Sequence, residues 1–117
     1  MKERRKGLLW EMALILLTVA ACLYSTGAGN IFGAKVDWSS QHSVFPEYFR
    51  QQFYATGKLF PEFAANLGGG QNIYHFAYYG LYSPLILPSY LLPFVKMSDY
   101  IMAVSITGLT ASVLLFL

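Results

Sequence analysis

Residues 8–24 read Leu8-Leu9-Trp10-Glu11-Met12-Ala13-Leu14-Ile15-Leu16-Leu17-Thr18-Val19-Ala20-Ala21-Cys22-Leu23-Tyr24, with a single charge, Glu11, in the stretch. As a helix rising about 1.5 Å per residue, it would be roughly 25 Å long, near the shortest length that crosses a bilayer. Glu11 falls in the first turn, within reach of the headgroups. Lys2, Arg4, Arg5 and Lys6 precede the run, and the uncharged Ser25-Thr26-Gly27 follows it. Cations stay on the cytoplasmic side of a span, so the N-terminus is expected inside and everything after Tyr24 outside. The expected organisation is a basic tail over residues 1–7 and a transmembrane helix over residues 8–25.

The composition agrees with a membrane protein. Of 117 residues, 56% are hydrophobic and 12% charged, about half the charged share of an ordinary soluble domain. A soluble fold of this size has a large surface to cover and too few charges here to cover it. Beyond residue 11, Lys35, Arg50, Lys58 and Lys96 face Asp37, Glu47, Glu62 and Asp99. No basic patch or nucleic-acid signature remains, which argues against a nucleic-acid partner. The one cysteine, Cys22, excludes an internal disulfide, and His42 and His75 lack ligand spacing, so no metal site is expected. A basic start and a short apolar core also fit a signal peptide, and Val19-Ala20-Ala21-Cys22 has the look of a lipobox, which would make Cys22 a lipidated N-terminus.

A second apolar run, residues 101–117, carries no charge and stops without a polar flank. A terminal carboxylate in or near hydrocarbon is costly. The run is therefore expected to be the start of a second span, and the chain the N-terminal piece of a longer one.

Residues 26–100 lie between the two runs and hold most of the aromatic side chains. Rings with polar edges favour the membrane–water interface, so this loop is expected to lie on the membrane. Pro46 to Thr56 reads as a helix, with proline in its first turn and Gly57 as its stop. At about 100° per residue, Phe45, Tyr48, Phe49, Phe53 and Ala55 share one face and Glu47, Arg50 and Gln51 the other, the pattern of an interfacial amphipathic helix. Asp37 can cap a short turn through Gln41, ended at Phe45 by the following proline. Asn66-Leu67-Gly68-Gly69-Gly70-Gln71-Asn72 must turn. Pro84, Pro88 and Pro93 break the next apolar stretch into short interfacial or re-entrant helices.

Few residues here can carry chemistry. Asp37, near the membrane surface and close to aromatic groups, can serve as a general base, since desolvation raises a carboxylate's proton affinity. As an isolated aspartate it can equally be a helix cap. Gly68-Gly69-Gly70 can bring backbone N–H groups to a phosphate, yet it lacks the lysine and the strand–loop–helix setting of a nucleotide loop. Tyr78-Tyr79 reads as an interfacial anchor or as a platform for a sugar ring.

The ordered set Asp37-Trp38-Ser39-Ser40-Gln41-His42, Phe45-Pro46-Glu47-Tyr48, Thr56-Gly57-Lys58-Leu59-Phe60-Pro61, Asn66 to Asn72 and Tyr78-Tyr79-Gly80-Leu81-Tyr82-Ser83-Pro84, placed between two spans, resembles the N-terminus of bacterial YfhO-type membrane proteins. The resemblance covers Leu8 to Leu117. It implies a GT-C-like, all-α, multi-pass glycosyltransferase of the bacterial cell membrane, which moves a sugar from a polyprenyl-phosphate carrier to an extracytoplasmic polymer such as lipoteichoic acid. It makes Asp37 the catalytic base. Gln41, His42, Arg50, Asn66, Gly68, Gly69, Gly70, Tyr78 and Tyr79 become candidate substrate contacts, with Lys35, Arg50 and the glycine turn available to the leaving phosphate. No cofactor is implied beyond the lipid-linked sugar. The competing expectation is a non-enzymatic membrane protein, a transporter or assembly subunit, whose outer loop binds a lipid or a partner.

Overall fold

The computed structural model describes residues 2–26 and 35–116. The chain is mostly helical. Helix α1 covers Lys2–Thr26, and α2 is a single turn, Lys35–Asp37, that continues as a π-helical turn, Trp38–His42. Helix α3 is Val44–Thr56, strands β1 and β2 are Phe63–Ala64 and Gln71–Asn72, two 3-10 helices cover Ile73–Tyr79 and Leu87–Leu91, and α4 is Met97–Leu115. Contacts separate a unit holding α1 and most of α4 from a middle unit within Gly33–Ile101.

Gly7–Thr26 and Met97–Leu115 are each long and apolar enough to cross a membrane. Only 6% and 0% of their most apolar windows are buried, so neither is a core helix of this chain's own fold. On α1, Leu8, Leu9, Trp10, Leu16, Leu17 and Tyr24 are more than half exposed. The apolar side chains surround the helix rather than forming one stripe, as a span requires. Hydroxyls on these helices turn back onto their own backbone. Thr18 Oγ1 donates to the Leu14 carbonyl at 2.8 Å, Thr107 to Ala103 at 2.7 Å and Thr110 to Ile106 at 2.8 Å. In hydrocarbon such bonds remove the need for a water partner.

The middle unit has a core of its own. Phe49, Ala64, Ile73 and Leu81 are fully buried, joined by Ile86, Tyr90 and Met97, with Phe45, Tyr48, Phe53, Phe76 and Tyr79 packed against them. The expected amphipathic helix thus turns its aromatic face onto this core. Its buried stripe differs from the expected one: Pro46, Phe49 and Arg50 are buried while Ala55 is exposed. Arg50 does not lie on a solvent face, because the segment after Leu87 packs over it. The helix also begins two residues before Pro46, so the chain does not break at Phe45. In the first turn proline's missing N–H removes no helical hydrogen bond. Gly57 ends the helix in the left-handed conformation, its N–H bonded to the Phe53 carbonyl at 2.8 Å.

The glycine turn joins β1 to β2, which pair antiparallel with Phe63 opposite Asn72 and Ala64 opposite Gln71. Gly68, Gly69 and Gly70 have φ of 55°, 80° and 94°, a left-handed run that side-chain-bearing residues rarely adopt. The Gly70 N–H is spent on the turn itself, bonded to the Leu67 carbonyl at 2.9 Å.

The proline-broken stretch folds as turns around the Leu87–Leu91 helix. With few ladder partners, its carbonyls are satisfied by side chains of the neighbouring helices. Arg50 Nη1 donates to Ser89 and Leu92 oxygens at 3.4 and 3.1 Å, Tyr54 Oη to Tyr90 at 2.7 Å and Tyr100 Oη to Leu85 at 2.7 Å.

Candidate functional site

Asp37 closes α2 and leads into the π-helical turn. Its own φ and ψ, −70° and −37°, are helical and its side chain makes no capping bond, so it is not the cap of a turn through Gln41. It is also exposed. The aromatic shielding expected of a buried base is not supplied by its immediate surroundings.

The π-helical turn carries Gln41 and His42 toward the 3-10 helix that holds Tyr78 and Tyr79. Tyr79 Oη donates to Gln41 Oε1 across 38 positions of sequence. The His42 and Tyr79 rings meet edge to face with centroids 5.5 Å apart, and Tyr78 and Tyr79 lie 4.1 Å apart. Beneath them Phe45 contacts Tyr79 at 4.4 Å and Phe76 at 4.8 Å, while Trp38 reaches His42 at 6.4 Å. The hydrogen bond with Tyr78 comes first among the causes that push the Tyr79 hydroxyl up to about 12, followed by desolvation and the Tyr78 and Asp37 charges. Tyr79 is therefore a neutral phenol at any physiological pH. Asp37 lies close enough for its charge to act on that phenol.

Four of the residues expected from sequence, Gln41, His42, Tyr78 and Tyr79, thus gather around one ring cluster, while the exposed Asp37 stands at the start of the turn that carries Gln41 and His42. Phe45 and Phe76 form the base of the cluster, and nothing local in the sequence marks them out for that role. Ring faces edged by an amide and an imidazole suit a polyhydroxylated ring, whose C–H face stacks while its hydroxyls meet the polar groups.

The other candidates lie elsewhere in the middle unit. Arg50 is buried, its guanidinium bonded to Glu47 and to the carbonyls of Ser89 and Leu92. Asn66, Gly68, Gly69 and Gly70 belong to the β1–β2 turn, with Asn66, Gly68 and Gly69 exposed. The side chain of Lys35 lies outside what the structure describes.

No family model matches the chain, and neither a curated protein nor a solved structure matches it.

Proposed function

We propose that the chain is part of a membrane glycosyltransferase that uses a polyprenyl-phosphate sugar and an extracytoplasmic, teichoic-acid-like acceptor, with Asp37 as its base. The observation that carries this reading is the gathering of Gln41, His42, Tyr78 and Tyr79 around the Phe45–Phe76 pair, with Asp37 just before the turn that carries Gln41 and His42. Two exposed apolar helices, one before and one after that segment in the sequence, support a membrane location. The resemblance to YfhO-type proteins supplies the substrate class.

The transfer is an inverting displacement. An acceptor hydroxyl attacks the anomeric carbon as Asp37 takes its proton, the bond from that carbon to the carrier phosphate breaks, and the phosphate leaves with the electron pair. The rings of Tyr78 and Tyr79 orient the sugar. Gln41 and His42 meet its hydroxyls.

Because Asp37 makes no capping bond, both Asp37→Asn and Asp37→Ala should leave membrane insertion and folding intact. Each should lower sugar incorporation about 10²- to 10⁴-fold, the usual effect of losing a general base. The measurement is label transferred from a lipid-linked sugar to the acceptor polymer in membranes, normalised to protein. Near-normal incorporation by the Asn variant removes Asp37 from the mechanism. The cluster would then remain as a binding surface, the reading of a non-enzymatic membrane protein.

A further inference from the structure

Residues 83–95, the proline-broken segment of the middle unit, end just before α4. Their most exposed side chains are apolar: Leu85 is 60%, Leu91 82% and Phe94 81% exposed, and Pro84, Pro88 and Pro93 are exposed as well. No Asp, Glu, Lys or Arg occurs from Phe63 to Val95. We propose that this segment is a shallow membrane wedge, which sets Leu85, Leu91 and Phe94 into the acyl boundary of one leaflet and so seats the middle unit on the bilayer.

A single exposed leucine means little, but the backbone beneath these three is a second observation. A surface loop can leave its carbonyls to water. Here side chains of the neighbouring helices cover them: Leu85 accepts from Tyr100 Oη, Tyr90 from Tyr54 Oη, and Ser89 and Leu92 from Arg50 Nη1. The N–H groups of Leu85, Ile86, Leu87, Ser89, Leu92 and Val95 bond within the segment, and the three prolines have none. Ser89 Oγ turns inward onto the Ile86 carbonyl at 2.6 Å. Such a loop can enter the acyl boundary without stranding these groups away from water.

The occupant is lipid rather than a protein partner. A protein interface makes about one hydrogen bond per 100–200 Å², and a segment whose donors and acceptors are already paired offers a partner little but apolar contact. Chain continuity points the same way. After Lys96 the segment becomes α4, which is long and apolar enough to span, and Tyr100 in the first turn of α4 holds the Leu85 carbonyl at 2.7 Å. Lys96 and Asp99 set the depth. Both are exposed, and charged groups stay with the headgroups, so the wedge goes no deeper than the about 5–10 Å of an interfacial segment. The proposal rests on the membrane location given above and not on the transferase chemistry.

The test uses the full chain with Cys22→Ala in phosphatidylcholine vesicles, carrying one nitrobenzoxadiazole label at Leu85→Cys, Leu91→Cys, Phe94→Cys or, as a control in the same unit, Lys58→Cys. All four positions are exposed, so the label displaces nothing in the core. The three wedge labels should emit at shorter wavelength than the control and resist aqueous iodide several-fold better. A lipid with its doxyl group near the headgroup end of the chain should quench them more than one with the doxyl at the methyl end. Leu85→Asp with Phe94→Asp should open the Leu91→Cys label to iodide at unchanged helicity, because carboxylates do not stay in the acyl boundary. A Leu91→Cys label still protected in that background would owe its depth to the dye and would overturn the proposal. Iodide quenching of the wedge labels equal to that of the control overturns it too. Protection from iodide and doxyl lipid alike would mean that protein covers the segment, and would overturn the lipid assignment. Extraction at alkaline pH separates the two readings: release of the chain overturns the membrane location and the wedge with it, whereas a retained chain whose wedge labels behave like the control overturns the wedge alone.

Discussion

Tyr79 shows how far one residue's chemistry depends on distant sequence. Its phenol is held neutral by Tyr78, by desolvation and by nearby negative charge. Tyr90 is also pushed up to about 12, chiefly by burial, and Tyr82 is raised by desolvation and its Tyr74 neighbour. A raised phenol favours the folded state while it stays protonated. The stabilisation is complete below the unfolded value of about 10 and is lost as pH rises through about 12. Of nine tyrosines, these three should therefore ionise late in a spectrophotometric titration of the folded chain. Tyr79→Phe should remove one equivalent from the late phase and make the fall in stability above about pH 10 less steep. An unchanged late phase would show that Tyr79 titrates as an ordinary tyrosine. The Tyr78-Tyr79 pair was visible in the sequence as a possible sugar platform. Its contact with Gln41, 38 positions away, was not, because no local pattern encodes a partner supplied by tertiary packing.

At the scale of elements, α3 was legible and what covers it was not. Proline near its start and glycine after its end marked the helix, and its spacing of aromatic residues marked an apolar face. The error lay in Arg50, placed with Glu47 and Gln51 on the polar side, although Pro46, Arg50 and Phe53 recur at the four- and three-residue steps of one stripe. A buried arginine becomes legible only once its acceptors are known, and those are carbonyls of a proline-broken segment about 40 positions later. The short strands escaped notice for another reason: two residues each are too few to show alternation. Arg50 and Tyr54 provide a graded test of this packing. Arg50→Met keeps bulk but takes the donor from two carbonyls and leaves Glu47 its bond from Gln51, and should destabilise the middle unit by about 2–3 kcal/mol. Tyr54→Phe removes only the bond to the Tyr90 carbonyl and should cost about 0.5–1.5 kcal/mol. Thermal unfolding of both variants in detergent checks the order; equal effects would mean that Arg50 does not hold the segment down.

For the whole molecule, the deciding asymmetry is electrostatic and lies at one end. Lys2, Arg4, Arg5 and Lys6 precede the first apolar helix, and no cation occurs again until Lys35. Moving that cluster across a bilayer would require dehydrating several charges, whereas leaving it inside requires none, which gives α1 its expected direction. With that direction, and with α4 as a second span, the middle unit would emerge outside and α4 would run back inward. This predicts opposite labelling of two positions. With Cys22→Ala removing the native thiol, Lys2→Cys should resist a membrane-impermeant maleimide in intact cells and react only after permeabilisation. Lys58→Cys, at an exposed position just beyond α3, should react at once. Replacing the four N-terminal cations with glutamine should mix the two patterns, because the apolar helices alone carry little directional information. The same samples test whether α1 is a cleaved leader, since mass spectrometry of the membrane-extracted chain should find the N-terminal residues attached, and a lipidated Cys22 as first residue would contradict a span. Labelling of Lys2→Cys from outside would reverse the topology and place the Asp37 cluster in the cytoplasm, where an extracytoplasmic acceptor could not reach it.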